Sequence, residues 1–141
     1  ARARTALLDF GGPLSPADLR MLACDACVVP VVLGGEGQPL DVGRAQRTIP
    51  TPLRRAVAAR DRGCAFPGCD RPPSWCEVHH IIAWAHHGLT AVHNLVMLCL
   101  VHHRLLHRPG WTVRIHDGHP EFTPPAWIDP QRTPRRKPLR T

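Results

Sequence analysis

The sequence predicts a small domain of the α+β class, and three observations support this prediction. Two short segments with strand character, followed by a helix, lie in the second half of the chain. Two pairs of potential metal ligands, Cys64-x4-Cys69 and Cys99-x2-His102, flank these strands, with 29 residues between the pairs. Eight of the ten histidines fall between His79 and His107.

Composition sets bounds on the class of protein. The length of 141 residues suits about one domain. Because 43% of the residues are hydrophobic, the apolar core is thin, and we expect a metal ion to help stabilise the fold. Apolar runs such as Cys27–Leu33 are far too short to span a bilayer, and no signal peptide is visible. We therefore expect a cytoplasmic protein with reduced thiols and no membrane partner. The formal net charge of +7 favours a polyanionic partner.

Residues 1–49 are predicted to be the end of a preceding domain or a packing arm. A helix is expected to start at Ser15-Pro16, because serine is a favoured N-cap and proline suits the first helical position. The β-branched run Val28–Leu33 predicts a strand. The polar, glycine-rich residues 34–47 predict a loop.

A compact domain is predicted over residues 50–118. Its first helix begins at Thr51-Pro52 and runs to about Asp61, with Gly63 as the stop signal. Further elements, in chain order, are a strand with a loop at Trp75–Trp84, a turn at Gly88–Thr90, a strand at Leu95–Leu98, a helix at Cys99–His107 and a short hairpin over residues 108–118.

The last segment, residues 119–141, is predicted to be a flexible tail. It is rich in proline, which resists regular secondary structure, and it carries the basic run Arg135-Arg136-Lys137. We therefore expect it to contribute positive charge rather than core packing.

The two ligand pairs predict a structural zinc site. Zinc prefers a tetrahedral set of thiolates and imidazoles, taken from two such knuckles. The turn at Pro67-Gly68 reverses the chain between the first two cysteines, and a helix start brings the second pair together. The predicted ligand set is Cys64, Cys69, Cys99 and His102. Unpaired buried cysteines or disulfides are the alternative reading of this pattern.

The remaining cysteines are weaker candidates for metal ligands. Cys24-x2-Cys27 has no second pair nearby, which favours a packing role over metal binding or redox chemistry. Cys76 is expected to be a small buried residue, and substitution for one of the zinc ligands is the alternative.

The histidines predict a second metal site. His79 and His80 are neighbours on a strand, so their side chains face opposite ways. His103 and His107 are four residues apart on the predicted helix and therefore share a face. If His79 joins this helical pair, three nitrogen ligands leave open positions for phosphate and water. His80 is then a candidate general base, since an imidazole titrates near neutral pH.

The combined motif resembles the HNH nuclease family, which has the ββα-metal fold, over about residues 50–115. The matching residues are Cys64-x4-Cys69, His79-His80-Ile81, Gly88-x-Thr90, Asn94-Leu95, Leu98-Cys99-x2-His102-His103 and His107. Ala23-Cys24-Asp25 and residues 37–44 resemble the end of the uncharacterised domain that precedes HNH modules in many actinobacterial proteins. The sequence departs from the family at His86-His87 and His93, which lie in the loop between the strands.

The resemblance implies a role for each matching residue. His80 matches the general base, and Asn94 matches the residue whose amide braces the loop of that base. His79 and His103 match ligands of the catalytic metal, and His107 matches a third metal histidine found in the toxin-like branch of the family. The implied reaction is hydrolysis of a phosphodiester bond, in which one divalent metal stabilises the leaving oxygen.

Arginines supply the expected contacts to the phosphate backbone of nucleic acid. The candidates are Arg54, Arg55, Arg60, Arg62, Arg71 and Arg104, together with the basic run of the tail. Duplex DNA is the expected partner, with RNA as the alternative. The expected cofactors are one structural Zn²⁺ and one catalytic divalent metal, for which Mg²⁺, Mn²⁺, Ni²⁺, Co²⁺ and Zn²⁺ are all candidates.

Two other functions are compatible with parts of this pattern. A non-catalytic, zinc-stabilised DNA-binding module needs the cysteine knuckles but has no use for His80 or for the helical histidine pair. A protein that stores or senses transition metal explains the histidines but predicts no nuclease activity. Substitution of His80 separates the endonuclease from both.

Overall fold

A computed structural model describes residues 6–8, 12–15 and 41–138 of the chain. The chain divides into two units, residues 1–30 and residues 31–141. In the first, strands β1 (Ala6–Leu8) and β2 (Gly12–Leu14) form an antiparallel hairpin that the sequence did not predict. The helix predicted after Ser15, the strand Val28–Leu33 and the Cys24-x2-Cys27 pair lie outside the described residues.

The second unit has the predicted mixture of helices and strands, so the α+β class is confirmed. Its elements are α1 (Thr51–Asp61), β3 (Cys76–His80), β4 (Leu95–Cys99), α2 (Leu100–Leu106), β5 (Thr112–His116) and β6 (His119–Thr123). Short 3-10 turns at Pro73–Trp75, Trp84–His86 and Val92–Asn94 connect them. Within the described part of the chain, no helix combines the length and apolar character that crossing a membrane requires.

Helix α1 begins and ends as its sequence predicts. Proline suits its first turn, where the missing N–H has no helical partner to lose. Leu53, Ala56 and Val57 are fully buried and lie on one face at helical spacing. Arg62 ends the helix in the left-handed conformation, with φ of 55°. Gly63 follows at φ of 112°, where a Cβ would lie 2.3 Å from a backbone oxygen of Arg71, so only glycine fits.

The end of α1 binds β4 through a buried ion pair. The Arg60 guanidinium donates to both carboxylate oxygens of Asp61, and it also donates to the backbone oxygens of Val92 and Leu95. Only 8% of the Arg60 side chain is exposed. The donors of Arg60 are thus engaged inside the fold, and its contact with nucleic acid stays a prediction.

Arg54 is also engaged within the fold. Its guanidinium donates to the backbone oxygens of Pro73 and Cys76, at 3.2 and 2.9 Å. These bonds join α1 to the start of β3. Contact of Arg54 with nucleic acid stays a prediction.

Strands β3 and β4 pair antiparallel, and α2 follows β4 without a loop. The register places Cys76 opposite Cys99 and His80 opposite Leu95. All five residues of β4 are buried, whereas most of β3 is partly exposed. This β-β-α arrangement brings the end of β3 and the face of α2 to one side of the domain, where the histidines meet.

The third hairpin corrects the prediction of a tail. β6 pairs with β5 from His119 to Thr123, and its Phe122 is fully buried in the core, where its ring lies 5.2 Å from that of Phe66. The backbone of Arg135 bonds that of Phe122, and Lys137 donates to the backbone oxygen of Cys64. The expectation of a flexible tail from residue 119 is thus wrong for β6, and later residues pack back onto the domain. The other predicted domain boundaries stay predictions.

Candidate metal centres and the histidine site

The two predicted knuckles meet in one cluster. The ligand atoms of Cys64, Cys69, Cys99 and His102 all lie within 4.8 Å of one another. The Nδ1 atom of His102 is 3.4 Å from the Cys64 sulfur and 3.3 Å from the Cys99 sulfur. In tetrahedral zinc sites, sulfur and nitrogen ligands are ~3.5 Å apart. Both the chemistry and the spacing of this donor set therefore fit a structural zinc ion.

The surroundings of the cluster orient its ligands. Phe66 stacks on the His102 ring, with centroids 4.0 Å apart and planes 8° from parallel. Burial raises the pKa of the Cys64 thiol far above its usual range. Burial acts in the same direction on Cys99, but hydrogen bonds from the backbone of His102 and the guanidinium of Arg71 outweigh it, and the Cys99 pKa is lowered. The lowered pKa favours binding of Cys99 to a metal as the thiolate.

Two further residues of the sequence analysis lie near this cluster. Arg71 donates to the Cys99 sulfur at 3.1 Å, which places its guanidinium beside the thiols, and its contact with phosphate stays a prediction. Cys76 is buried, its thiol donates to the backbone oxygen of Pro72, and it is not one of the clustered ligands. The packing role expected for Cys76 agrees with this position.

Three histidines form a second cluster at the end of β3 and along α2. The ligand nitrogens of His79, His103 and His107 lie within 4.8 Å of one another. The Nε2 atoms of His103 and His107 are 3.2 Å apart. Two imidazole nitrogens bound to one tetrahedral zinc ion are ~3.3 Å apart, so this set also fits a transition metal with nitrogen preference.

A carboxylate and burial tune this cluster. Glu77 lies 3.3 Å from Nδ1 of His103, and such a contact fixes which nitrogen of the ring faces the cluster. Burial, together with the charge of the neighbouring imidazoles, lowers the pKa of His79 to about 4. His79 is therefore neutral at pH 7, as a metal ligand must be.

His80 faces away from the histidine cluster. Its Nε2 atom forms a 2.9 Å hydrogen bond with the hydroxyl of Thr90, which is fully buried. Burial lowers the pKa of His80, and the positive charge of Arg47 adds to that effect. The neutral ring can accept a proton, which is the state that a general base requires.

The side-chain amide of Asn94 binds the loop that follows His80 at two positions, Ile82 and Leu89. Its side-chain oxygen accepts from the backbone N–H of Ile82, and its amide donates to the backbone oxygens of Ile82 and Leu89. The amide is buried, with 5% of the residue exposed, and all its groups are hydrogen-bonded. The loop geometry thus agrees with the bracing that the sequence predicts for Asn94.

Comparison with known proteins agrees with this geometry. Residues 62–108 match the family described as HNH endonuclease, and residues 1–61 match a domain of unknown function, DUF222. The HNH match contains every residue of both clusters. Residues 62–108 belong to the HNH family. The order of the two matches confirms the arrangement that the sequence predicts.

All seven candidate ligand residues of the two clusters therefore lie inside the HNH domain.

Curated relatives resemble a larger part of the chain. The uncharacterized protein Rv1128c of Mycobacterium tuberculosis (strain ATCC 25618 / H37Rv) is 38% identical over 94 residues, which are 66% of this chain and 21% of that protein. The uncharacterized protein Rv1945 of the same strain is 34% identical over 121 residues, 84% of this chain and 26% of that protein. This chain thus spans about a quarter of the length of the curated relatives it matches. No solved structure matches.

The structure also shows which predicted arginines stay at the surface of the HNH domain and next to it. Arg55, Arg62 and Arg104 are exposed, whereas Arg54, Arg60 and Arg71 bond within the fold as described. Contact of these six arginines with nucleic acid stays a prediction.

Sequence reasoning missed several residues around the HNH site. Glu77 was detectable, because strand alternation places it on the same face as His79. Thr90 stood in the matching motif but carried no role. Arg44 and Arg47 precede the HNH match. No local pattern indicates that Arg44 binds the loop after His80, or that the charge of Arg47 acts on the His80 ring.

Proposed function

We propose that this chain carries a metal-dependent endonuclease that hydrolyses phosphodiester bonds of DNA, with His80 as the general base. The observation that carries the proposal is that the adjacent residues His79 and His80 of β3 contact different parts of the site. His79 joins the helical histidines in a three-nitrogen cluster, while His80 turns to Thr90. A purely structural zinc module has no need of either arrangement.

The contact of His80 with Thr90 supports Nδ1 as the atom that takes the proton from water. The hydrogen bond to Thr90 engages Nε2, so Nδ1 is the nitrogen for a water molecule. For Nδ1 to accept, the proton of the neutral ring has to lie on Nε2, where the Thr90 hydroxyl oxygen accepts it. The activated water oxygen then bonds to phosphorus as the bond from phosphorus to the 3′-oxygen breaks. The products are a 5′-phosphate and a 3′-hydroxyl, as the family resemblance implies.

The three-histidine cluster is the proposed place of the catalytic cation. When bound, a divalent metal supplies Lewis acidity for the phosphate and for the charge on the leaving oxygen. Three imidazoles favour Zn²⁺, Ni²⁺ or Co²⁺ over the oxygen-preferring Mg²⁺ and Mn²⁺. His79, His103 and His107 would hold it, and Glu77 would orient the ring of His103.

The cysteine cluster has a separate role in this proposal. Cys64, Cys69, Cys99 and His102 would bind the structural Zn²⁺ and join the first knuckle to the start of α2. That position lets the zinc ion stabilise the elements that present the histidines without taking part in the reaction.

The proposed substrate is duplex DNA, with RNA as the alternative. The net charge of +7 and the exposed Arg55 and Arg104 favour a polyanion. Contacts of this kind position the phosphate backbone without reading the bases.

Cleavage of supercoiled plasmid DNA across a series of divalent metals tests the proposal. We expect His80→Ala to lower the nicking rate by about a hundredfold or more, the usual contribution of a general base. His93→Ala is the matched control, because His93 is an exposed histidine in the same inter-strand region. Zinc content and circular dichroism establish that both variants are folded.

Unchanged nicking by folded His80→Ala protein contradicts the proposal. Binding of DNA without nicking by the wild-type chain, under every metal tested, indicates the non-catalytic DNA-binding module instead. Binding of several metal ions per chain without either property indicates metal storage or sensing.

A further inference from the structure

The hydroxyl that contacts His80 belongs to Thr90, whose backbone N–H and oxygen are both hydrogen-bonded. Thr90 is fully buried, and both of its backbone groups bind the segment that precedes α1. Its N–H donates to the oxygen of Gly43, and its oxygen accepts from the N–H of Val42, each at 3.0 Å. Asp41 and Ala91 extend this antiparallel contact by one bridge. The position of the hydroxyl is thus set by residues 41–43.

Arg44 fixes the other part of the same loop. Its guanidinium donates to the backbone oxygens of Trp84 and Gly88, at 2.7 and 3.1 Å. The guanidinium carbon also lies 3.7 Å from the centre of the Trp84 ring, in a cation–π contact. One side chain therefore joins both ends of the turn that connects β3 to Thr90.

The turn brings two stretches of backbone very close together. A Cβ on Gly88 would lie 1.7 Å from the backbone oxygen of Ile82, so the chain crosses itself closely at this point. Asn94 binds this crossing from the side of β4, through Ile82 and Leu89. Arg44 binds the same turn from the segment that precedes α1, through the backbone oxygens of Trp84 and Gly88.

We infer that residues 41–44 and Thr90 form a positioning unit that sets the orientation of the His80 ring, with Arg44 and Thr90 as positioning residues for the base. The inference rests on the proposed function, since it concerns the role of His80 as base. It goes beyond the HNH match, because residues 41–44 lie in the stretch that matches DUF222. The preceding family segment would then contribute directly to the geometry of the nuclease site.

Two substitutions test this inference on the full chain. Thr90→Val keeps the size and β-branching of the side chain but removes the bond to His80, and Thr90→Ser restores a hydroxyl. Arg44→Ala removes the contacts to the turn. Arg114→Ala is the matched control, because Arg114 also has an intramolecular partner, Glu121, on the β5–β6 hairpin.

We expect Thr90→Val and Arg44→Ala to lower kcat about tenfold or more while KM changes less than about twofold, because a base displaced by a fraction of an ångström loses efficiency without losing substrate. Thr90→Ser and Arg114→Ala should keep a kcat near that of the wild type. Hydrogen exchange supplies a readout independent of activity. Arg44→Ala should speed exchange in residues 81–90 and leave residues 95–99 unchanged.

The outcomes separate this inference from the proposed function. If His80→Ala is inactive while Thr90→Val and Arg44→Ala both keep the wild-type kcat, the positioning unit is overturned alone. If KM rises as much as kcat falls, the two residues contact substrate and the inference is equally overturned. If His80→Ala keeps its activity, the proposed function fails and the positioning role fails with it. Should Arg44→Ala not fold, Thr90→Val decides the matter, since its shape is preserved.

Discussion

The carboxylate of Asp61 accepts a hydrogen bond of 2.9 Å from the backbone N–H of Met97, at the centre of β4. This bond connects the last residue of α1 to the strand that leads into α2. Asp61 also binds the guanidinium of Arg60, so the junction is a buried ion pair with a backbone partner. The helix that matches DUF222 is thereby part of the same packed core as the HNH strands.

Asp61→Asn should destabilise the domain strongly. The change keeps the shape of the side chain but removes the charge that balances Arg60, and an unbalanced buried charge costs about 3 kcal/mol or more. Denaturant unfolding of zinc-saturated protein measures this loss. Asp117→Asn is the control, because 75% of the Asp117 side chain is exposed and an exposed pair contributes about 1 kcal/mol or less. Equal losses in both variants would refute the assignment of Asp61 to the core.

Cys69→Ser should abolish metal binding at the cysteine cluster, whereas Cys76→Ser should not. Cys69 is one of the clustered ligands, while Cys76 donates to a backbone oxygen and a serine hydroxyl can replace it there. Co²⁺ substitution distinguishes the two metal sites, because only thiolate ligands give sulfur-to-cobalt charge-transfer absorption. Loss of that absorption in Cys76→Ser, with retention in Cys69→Ser, would reverse the assignment.

Acidification should destabilise the protein when no divalent metal is added. The pKa of His79 is lowered to about 4 in the folded chain, against about 6.5 when unfolded. The folded state thus binds fewer protons, and the stability that neutral His79 contributes is complete above pH 6.5 and is lost as the pH falls towards 4. Thermal unfolding across this range measures the effect. His79→Gln should show a weaker fall in Tm, and an identical fall would contradict the contribution of His79.

Arg104→Ala should weaken DNA binding and reduce its dependence on salt. Arg104 is exposed on the helix that carries His103, and each phosphate contact contributes about 0.9 to the slope of log affinity against log salt. Fluorescence anisotropy with a DNA duplex at several salt concentrations measures both quantities. Arg114→Ala, which breaks a pair on the distant hairpin strand β5, is the control. A salt slope that is unchanged in Arg104→Ala would exclude the phosphate contact.

Local patterns were sufficient for most elements of residues 50–118. The Thr51-Pro52 start and the Gly63 stop predicted α1, and strand alternation predicted that the side chains of His79 and His80 face opposite ways. The spacing of Cys64, Cys69, Cys99 and His102 predicted one cluster, because ligand pairs leave few ways to meet. Adjacent residues of a helix point in different directions, which agrees with the placement of His102 and His103 in different clusters.

The arginines show what local patterns do not reveal. The guanidinium groups of Arg54, Arg60 and Arg71 bind backbone oxygens or sulfur of distant residues, and no local pattern indicates these contacts. The prediction of a flexible tail missed distant contacts in the same way. A proline-rich sequence predicts irregular chain, but the burial of Phe122 outweighs that tendency and places β6 beside β5.

Residue types and local periods were enough to predict the groups of the candidate sites, namely two sets of potential metal ligands, a separate histidine and an amide for the following loop. The periods of strand and helix depend on neighbouring residues alone. The surroundings of these groups depend instead on how distant parts of the chain pack. The contacts of His80 with Thr90, of Thr90 with residues 42 and 43, and of Arg44 with Trp84 join parts of the chain that are 10 to 48 residues apart. Such contacts form because the whole core packs, and no short stretch of sequence encodes them.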